Sequence, residues 1–211
     1  MKADIIPSLL TSSRSALKRR LEIVSRHCFV AQLDVLNNTL VPFKDFCEPE
    51  IINRLRPAIK LEIHLMVSDP LAHIPKWNYP WVSKIIFHFE ATADPRREIA
   101  LIKSLGKKAG LAVNPATPVA ALAPYRAELD TCLIMTVNPG QNGSPFLPTT
   151  LKKINRSRKT SNRLNIEVDG GINPLTAKKC FKAGANLLVA GSYLENERFE
   201  ERLLELRKAI Q

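Results

Sequence analysis

Strand-length apolar runs alternate with helical patterns along the whole chain, and this alternation constrains the fold more than any other feature. Strands are predicted near 4–10, 29–35, 60–66, 82–89, 109–113, 131–137, 165–169 and 186–190. Helices are predicted near 14–26, 48–56, 70–77, 95–105, 118–122, 148–161, 174–182 and 197–210. Alternation at this spacing is typical of a parallel sheet with helical crossovers, and eight such units close naturally into a (β/α)8 barrel.

The length of 211 residues suits one α/β domain over residues 1–211, a compact TIM barrel without room for a second domain. An open, doubly wound sheet is the alternative fold. That fold favours a glycine-rich turn after its first strand, and the stretch PSLLTSS contains no glycine. The single barrel is therefore the prediction.

Composition excludes several classes of protein. The hydrophobic share of 45% and the charged share of 24% are ordinary for a soluble globular protein. No apolar run approaches the ~20 residues of a membrane helix, and MKADIIPSLL is too short for a signal peptide. The four cysteines are scattered without a CxxC pair, which favours structural thiols in a reducing compartment. We expect a cytoplasmic protein with no membrane partner.

The net charge of +11 raises the possibility of nucleic-acid binding. The basic pairs and triplets are spread along the chain, mostly on the polar faces of predicted helices, and are not interleaved with aromatic residues. This distribution indicates that the basic residues lie on solvated helix faces, where they attract anionic ligands in general. No specific nucleic-acid partner is expected.

Polar and sulfur-bearing residues recur where the predicted strands end. In a barrel these ends form the active face. The residues are Ser8, Gln32, Asp34, His64, Met66, His88, Glu90, Asn114, Met135, Asp169, Gly191 and Ser192. Convergence of so many polar groups is hard to explain by solvation alone, although His88 by itself fits a pocket-lining role and a structural role equally well.

Two features of this face indicate its chemistry. Asp34 and Asp169 end the second and seventh strands, and His64 lies on the third strand beside Asp34, so the three residues would form a divalent metal site. Glycine-bearing turns at 137–147, 168–172 and 190–192 follow the last three strands, where barrels frequently bind phosphate. A metal opposite a phosphate pocket suggests chemistry on a phosphorylated sugar.

The chain resembles the ribulose-phosphate 3-epimerase family. The matching stretches run from residue 5 to 192 in the family's order: IIPSLL, LDVLNNTLVPF, LEIHLMVSDP, FHFEA, IKSLGKKAGLAVNPATP, LIMTVNPGQNGSPF, IEVDGGIN and AGANLLVAGS. The resemblance implies a (β/α)8 barrel and an enzyme of the pentose phosphate pathway. The implied reaction inverts C3 of D-ribulose 5-phosphate through an enediolate and gives D-xylulose 5-phosphate. It also implies a homo-oligomer and one divalent ion, whether Zn, Fe, Mn, Co or Mg.

The resemblance also implies residue roles. Asp34 and Asp169 match the acid–base pair and, with His64, the metal ligands. The substrate-binding residues that it implies are Ser8, His64, Met66, Met135, Gly140, Gly143, Gly170, Gly171, Gly191 and Ser192. Met66 and Met135 match apolar residues around the enediolate, and the glycines with Ser192 match the phosphate site.

The second strand departs from the family pattern H-x-D-V-M-D-G. Gln32 replaces a metal-binding histidine, Leu36 replaces a methionine, and Asn37-Asn38 replaces Asp-Gly. An amide oxygen is a weaker and harder ligand than imidazole, so it would disfavour zinc relative to magnesium or manganese. Whether Gln32 ligates at all stays open. The alternatives to an active ribulose-phosphate epimerase are an epimerase of another phosphorylated ketose and a catalytically impaired phosphosugar-binding relative.

Overall fold

The buried apolar runs form one parallel sheet in a computed structural model, which describes residues 3–9, 13–36, 48–138, 144–195 and 197–211. The strands are β1 (Asp4–Pro7), β2 (Val30–Leu36), β3 (Lys60–Met66), β4 (Val82–His88), β5 (Lys108–Val113), β6 (Thr131–Met135), β7 (Asn165–Asp169) and β8 (Leu187–Ala190). Their order in the sheet is β1-β8-β7-β6-β5-β4-β3-β2. The strands are apolar on both faces because helices cover the outside and side chains fill the inside.

The sheet closes through residues next to the site. A parallel bridge joins Ser8 to Gln32, and the Leu9 N–H donates to the Gln32 carbonyl oxygen at 2.8 Å. This contact links β1 to β2, the two edges of the strand order. The predicted (β/α)8 barrel is therefore confirmed, and the open doubly wound sheet is not the fold.

Helices follow most of the strands and cover the barrel. They are α1 (Arg14–Ser25), α2 (Pro49–Leu55), α3 (Pro70–His73), α4 (Pro95–Ser104), α5 (Thr150–Thr160), α6 (Pro174–Ala183) and α7 (Phe199–Ala209). Ser13 caps α1, and Asn173 forms a capping box with Thr176 at the start of α6. The helix predicted near 118–122 is a 3-10 helix over Val119–Tyr125. Pro124 has no backbone N–H, so it cannot donate the hydrogen bond that an α-helix needs at this position.

The barrel encloses a separate apolar cluster of Ile86, Ala112, Leu133, Met135 and Val137. Gly110 makes room for it, because a Cβ there would lie 2.7 Å from Ile86 Cγ1. Ile86 pairs in register with His64, and Met135 pairs with Asp169, so this packed cluster lies beside the polar residues at the carboxyl end of the barrel.

Three of the cysteines, Cys28, Cys132 and Cys180, are free and buried, as expected of structural thiols. Burial raises the pKa of Cys132 to about 11, so this thiol has little nucleophilic character. Cys47 lies outside the described residues. Within the described ranges, no helix is long and apolar enough to span a membrane.

Candidate active site

Ser8, Gln32, Asp34, His64 and Asp169 meet at the carboxyl end of the barrel. Asp34 on β2 pairs in register with His64 on β3, and Ser8 after β1 bridges to Gln32. Gln32 and Asp34 share one face of β2 because side chains alternate along a strand. Asp169 is the last residue of β7, which is separated from β2 by β8 and β1. The sheet thus brings together residues that are far apart in sequence.

Gln32 joins the two carboxylates. Its amide nitrogen donates to Asp34 Oδ1 and to Asp169 Oδ2, each at 2.7 Å. The side chain is fully buried, and among the described residues its Oε1 atom has no hydrogen-bond partner. The amide therefore turns its donor side, rather than its oxygen, towards the acidic groups.

His64 and Ser8 complete the contacts to the carboxylates. The Ser8 hydroxyl donates to Asp34 Oδ2 at 2.7 Å. His64 Nδ1 lies 3.1 Å from Asp34 Oδ1 and 3.4 Å from Asp169 Oδ2. Burial alone would lower the pKa of His64, but the hydrogen bonds and charges of the two aspartates raise it to about 10. The negative surroundings that raise this pKa also favour the binding of a cation.

The two carboxyl groups have different electrostatic surroundings. Burial works to raise the pKa of Asp34, but hydrogen bonds with His64, Ser8 and Gln32 hold it below its usual value. For Asp169, burial and the neighbouring charge of Asp34 outweigh His64, so the pKa lies above its usual value. A carboxyl group with a lowered pKa beside one with a raised pKa is the asymmetry that acid–base pairs use.

The donor set fits a divalent metal ion. One potential ligand atom from each of Asp34, His64 and Asp169 lies within 4.8 Å of the others. Two carboxylate oxygens and an imidazole nitrogen are ligands that zinc, iron, manganese and cobalt accept. Gln32 stands beside this group with its donor side towards it, so its amide would have to reverse to add an oxygen ligand.

His88 at the end of β4 is part of the same network. Its Nε2 lies 2.9 Å from Nε2 of His64, and its Nδ1 lies 3.4 Å from Glu90 Oε2. Burial lowers the pKa of His88. Burial opposes ionisation of Glu90, but its hydrogen bonds with His88, with Thr117 and with the Asn114 backbone lower its pKa to about 2. The sequence left the role of His88 open, and these contacts connect it to the site.

The remaining expected substrate contacts lie on neighbouring strand ends. Met135 is buried in the interior apolar cluster, and Met66 ends β3 partly buried. Gly170 and Gly171, after β7, have φ of 114° and 65°, which are glycine values. Gly191 and Ser192 follow β8, and a Cβ at Gly191 would lie 3.6 Å from that of Ser8. Gly140 and Gly143 lie outside the described residues.

Sequence reasoning missed an ion triad inside the barrel. Lys84 Nζ lies 2.7 Å from Glu62 Oε2 and 2.7 Å from Glu167 Oε2, and all three side chains are buried. Glu62 and Glu167 each lie two residues before a site residue, on the same face of the strand. Inward alternation along β3, β4 and β7 was the signal that could have found them.

Comparison with known proteins gives consistent matches. The sequence profile described as "Ribulose-phosphate 3 epimerase family" matches residues 4–195. The chain is 36% identical to "Ribulose-phosphate 3-epimerase" of Bacillus subtilis, over 96% of this chain and 97% of the relative. It is 37% identical to "Ribulose-5-phosphate-3-epimerase, chloroplastic" of Arabidopsis thaliana, over 90% of this chain and 72% of the relative.

A solved structure supports the fold and nothing more. Orotidine 5'-phosphate decarboxylase from Pyrococcus horikoshii superposes with a TM-score of 0.72, covering 98% of each chain. The two sequences are 15% identical, so this likeness concerns the barrel alone.

Proposed function

The chain belongs to the ribulose-phosphate 3-epimerase family, and from that premise we propose that it interconverts D-ribulose 5-phosphate and D-xylulose 5-phosphate by inverting C3. The observation that carries the proposal is the meeting of Asp34 and Asp169 around His64. Inversion needs a proton acceptor on one side of the carbon and a proton donor on the other. Two carboxylates on separate strands of a barrel can take those positions.

In this proposal the two aspartates exchange protons with C3. One carboxylate removes the proton, and the electron pair passes into an enediolate over C2 and C3. The other carboxyl group then delivers a proton to the opposite side of C3, so the proton balance closes. Because the reaction is reversible, the two residues exchange roles with the direction of turnover. Ser8 holds Asp34 Oδ2, and Gln32 holds Asp169 Oδ2, each at 2.7 Å.

Asp34, His64 and Asp169 would hold the divalent ion, which when bound supplies the positive charge that stabilises an enediolate. Gln32 could add its amide oxygen after a half-turn of the amide group. An amide in place of an imidazole favours harder ions, so magnesium or manganese should compete with zinc better here than at a site with one more histidine.

The two ends of the substrate would meet different surroundings. Met66 and Met135 supply apolar surface next to the reacting carbons. The turns after β7 and β8, with Gly170, Gly191 and Ser192, would receive the phosphate on backbone N–H groups. Gly140 and Gly143 belong to the same proposed phosphate site.

A second candidate function is favoured by the donor bridge of Gln32. With the amide nitrogen on both carboxylates, the site could bind a phosphosugar while catalysing poorly, or could serve another phosphorylated ketose. Both alternatives keep the barrel and the phosphate site and differ only in what happens at C3.

Three broader properties remain predictions. We expect residues 1–211 to act as one barrel domain and to form a homo-oligomer. A cytoplasmic location also remains a prediction of the sequence.

The proposal is tested by turnover of D-ribulose 5-phosphate after metal stripping. We expect activity to fall with the metal content and to return when manganese, magnesium, cobalt, zinc or iron is added. Full activity in protein shown by elemental analysis to be metal-free would contradict the metal site. Binding of the phosphosugar without turnover in any metal, or turnover of a different phosphoketose alone, would favour the second candidate function.

A further inference from the structure

The two ring nitrogens of His64 face different partners. Nδ1 points to the carboxylates, and Nε2 lies 2.9 Å from Nε2 of His88. Both imidazoles are buried, His64 completely and His88 with 8% exposed, so water does not readily replace either partner. A hydrogen bond between two imidazole nitrogens needs one N–H and one lone pair, so only one of the rings can donate.

Glu90 decides which ring donates. Its Oε1 accepts the Asn114 backbone N–H at 2.8 Å and the Thr117 hydroxyl hydrogen, while its Oε2 faces His88 Nδ1 at 3.4 Å. An ionised carboxylate can only accept, so Nδ1 of His88 carries the proton on that side. The Nε2 of a neutral His88 then has a lone pair, and His64 must donate its Nε2–H to it.

We propose that Glu90 and His88 are positioning residues that keep the proton of His64 on Nε2 and thereby leave its Nδ1 lone pair for the metal ion. This inference rests on the proposed function, because it takes Asp34, His64 and Asp169 as the metal ligands. Metal-binding histidines usually have their second nitrogen fixed by a carboxylate or a carbonyl oxygen. In this chain an additional imidazole lies between the carboxylate and the ligand.

The substitution Glu90→Gln tests the direction of the hydrogen bonds. The amide oxygen of the new side chain would remain with the Asn114 N–H and Thr117, so its NH2 group would donate to His88 Nδ1. His88 would then carry its proton on Nε2 and present it to His64, which favours the His64 form protonated on Nδ1. We expect metal affinity to fall by roughly 10–100-fold, the scale of lost support around a metal site.

Two substitutions of His88 separate positioning from packing. His88→Gln offers an amide oxygen that can still accept from His64, whereas His88→Leu offers no acceptor. We expect Leu to weaken metal binding by roughly 10–100-fold and Gln to restore most of it. A residue that only fills space would not rank the two in this order. Glu128→Gln is the matched control, because Glu128 is an exposed carboxylate paired with Arg96 outside the network.

The measurements are the dissociation constant for Mn²⁺, by competition with a chelator, and turnover as a function of Mn²⁺ concentration. We expect the Mn²⁺ concentration that gives half-maximal turnover to rise together with the dissociation constant in Glu90→Gln and His88→Leu. Nitrogen-15 NMR of the Zn²⁺-loaded wild type gives a reading that does not depend on any variant folding. It should find protons on Nε2 of His64 and on Nδ1 of His88.

A proton on Nε2 of His88, or wild-type metal affinity in both Glu90→Gln and His88→Leu, would overturn the inference while leaving the proposed function intact. A wild-type protein that binds no divalent metal would overturn both. Weakened affinity in Glu90→Gln and His88→Leu, with Glu128→Gln unchanged and the expected proton positions, supports the positioning role.

Discussion

The side-chain nitrogen of Gln32 lies 2.7 Å from Oδ2 of Asp169, a residue 137 positions later in the chain. The same nitrogen lies 2.7 Å from Oδ1 of Asp34, so one uncharged amide bridges both carboxylates of the proposed acid–base pair. The amide donates both of its N–H groups to carboxylate oxygens that a metal ion would also need as ligands. A metal must therefore displace these hydrogen bonds, and this competition lowers its net affinity.

Restoring the family's pattern on β2 should strengthen metal binding. We expect Gln32→His together with Leu36→Met to raise metal affinity and turnover of D-ribulose 5-phosphate by roughly 10–100-fold. The imidazole adds a ligand and removes the amide bridge. Both quantities should be measured over a range of metal concentrations, because a weakly bound metal can hide a competent site in a dilute assay. Tight metal binding without turnover would favour another phosphoketose or the binding-only alternative.

Removing either proposed acid–base group should abolish epimerisation. Asp34→Asn and Asp169→Asn keep the shape of the side chain but cannot exchange a proton. We therefore expect turnover to fall by roughly 100- to 10,000-fold. Circular dichroism should show an intact fold, since both side chains lie at the carboxyl end of the barrel and belong to neither apolar cluster. Glu200→Gln, an exposed carboxylate on α7, is the control. Full activity in either aspartate variant would contradict the mechanism.

The interior cation should matter for stability. Lys84→Met leaves Glu62 and Glu167 buried without their positive partner, so we expect the free energy of unfolding to fall by about 3–5 kcal/mol. Urea denaturation measures this change. The triple variant Lys84→Met, Glu62→Leu, Glu167→Leu removes all three ionisable groups and should regain most of the loss. Equal stability of Lys84→Met and the wild type would mean that the triad is not a stabilising unit.

The pH dependence of stability should carry the signature of Glu167. Burial and the charge of Glu62 raise its pKa from 4.5 to about 8. The folded state thus holds this proton more tightly than the unfolded chain, so stability is lost as the pH rises from about 4.5 to about 8. The side chain of Glu167→Gln does not titrate. The unfolding free energy of this variant minus that of the wild type should therefore increase as the pH rises across that range. A difference that does not change with pH would contradict the raised pKa.

The charge of +11 should give only weak binding to nucleic acids. We expect any binding to short DNA or RNA to disappear between about 50 and 200 mM salt, because phosphate contacts without base recognition are lost by counterion competition. Fluorescence anisotropy against two unrelated sequences measures this. Binding that survives the higher salt and prefers one sequence would support a nucleic-acid function.

Local patterns in the chain were enough to predict the barrel and most of the residues at its carboxyl end. Continuous apolar runs, turns and helix caps are local properties, so the strand ends at Asp34, His64 and Asp169 could be placed from neighbours in sequence alone. Once the strand order follows from right-handed parallel crossovers, the convergence of these ends follows as well. Gln32 was recognised as a departure from the family pattern H-x-D, in which a histidine stands two residues before the aspartate.

How these side chains share their hydrogen bonds emerged only from the three-dimensional packing. The direction of the Gln32 amide depends on two carboxylates from different strands, and the protonated nitrogen of His64 depends on His88 and Glu90. The pairing of Lys84 with Glu62 and Glu167 depends on the radius of the barrel, which lets one side chain reach across the interior. Such contacts join strands through side-chain rotamers, and because a rotamer is chosen by its packed surroundings, no local pattern in the sequence encodes it.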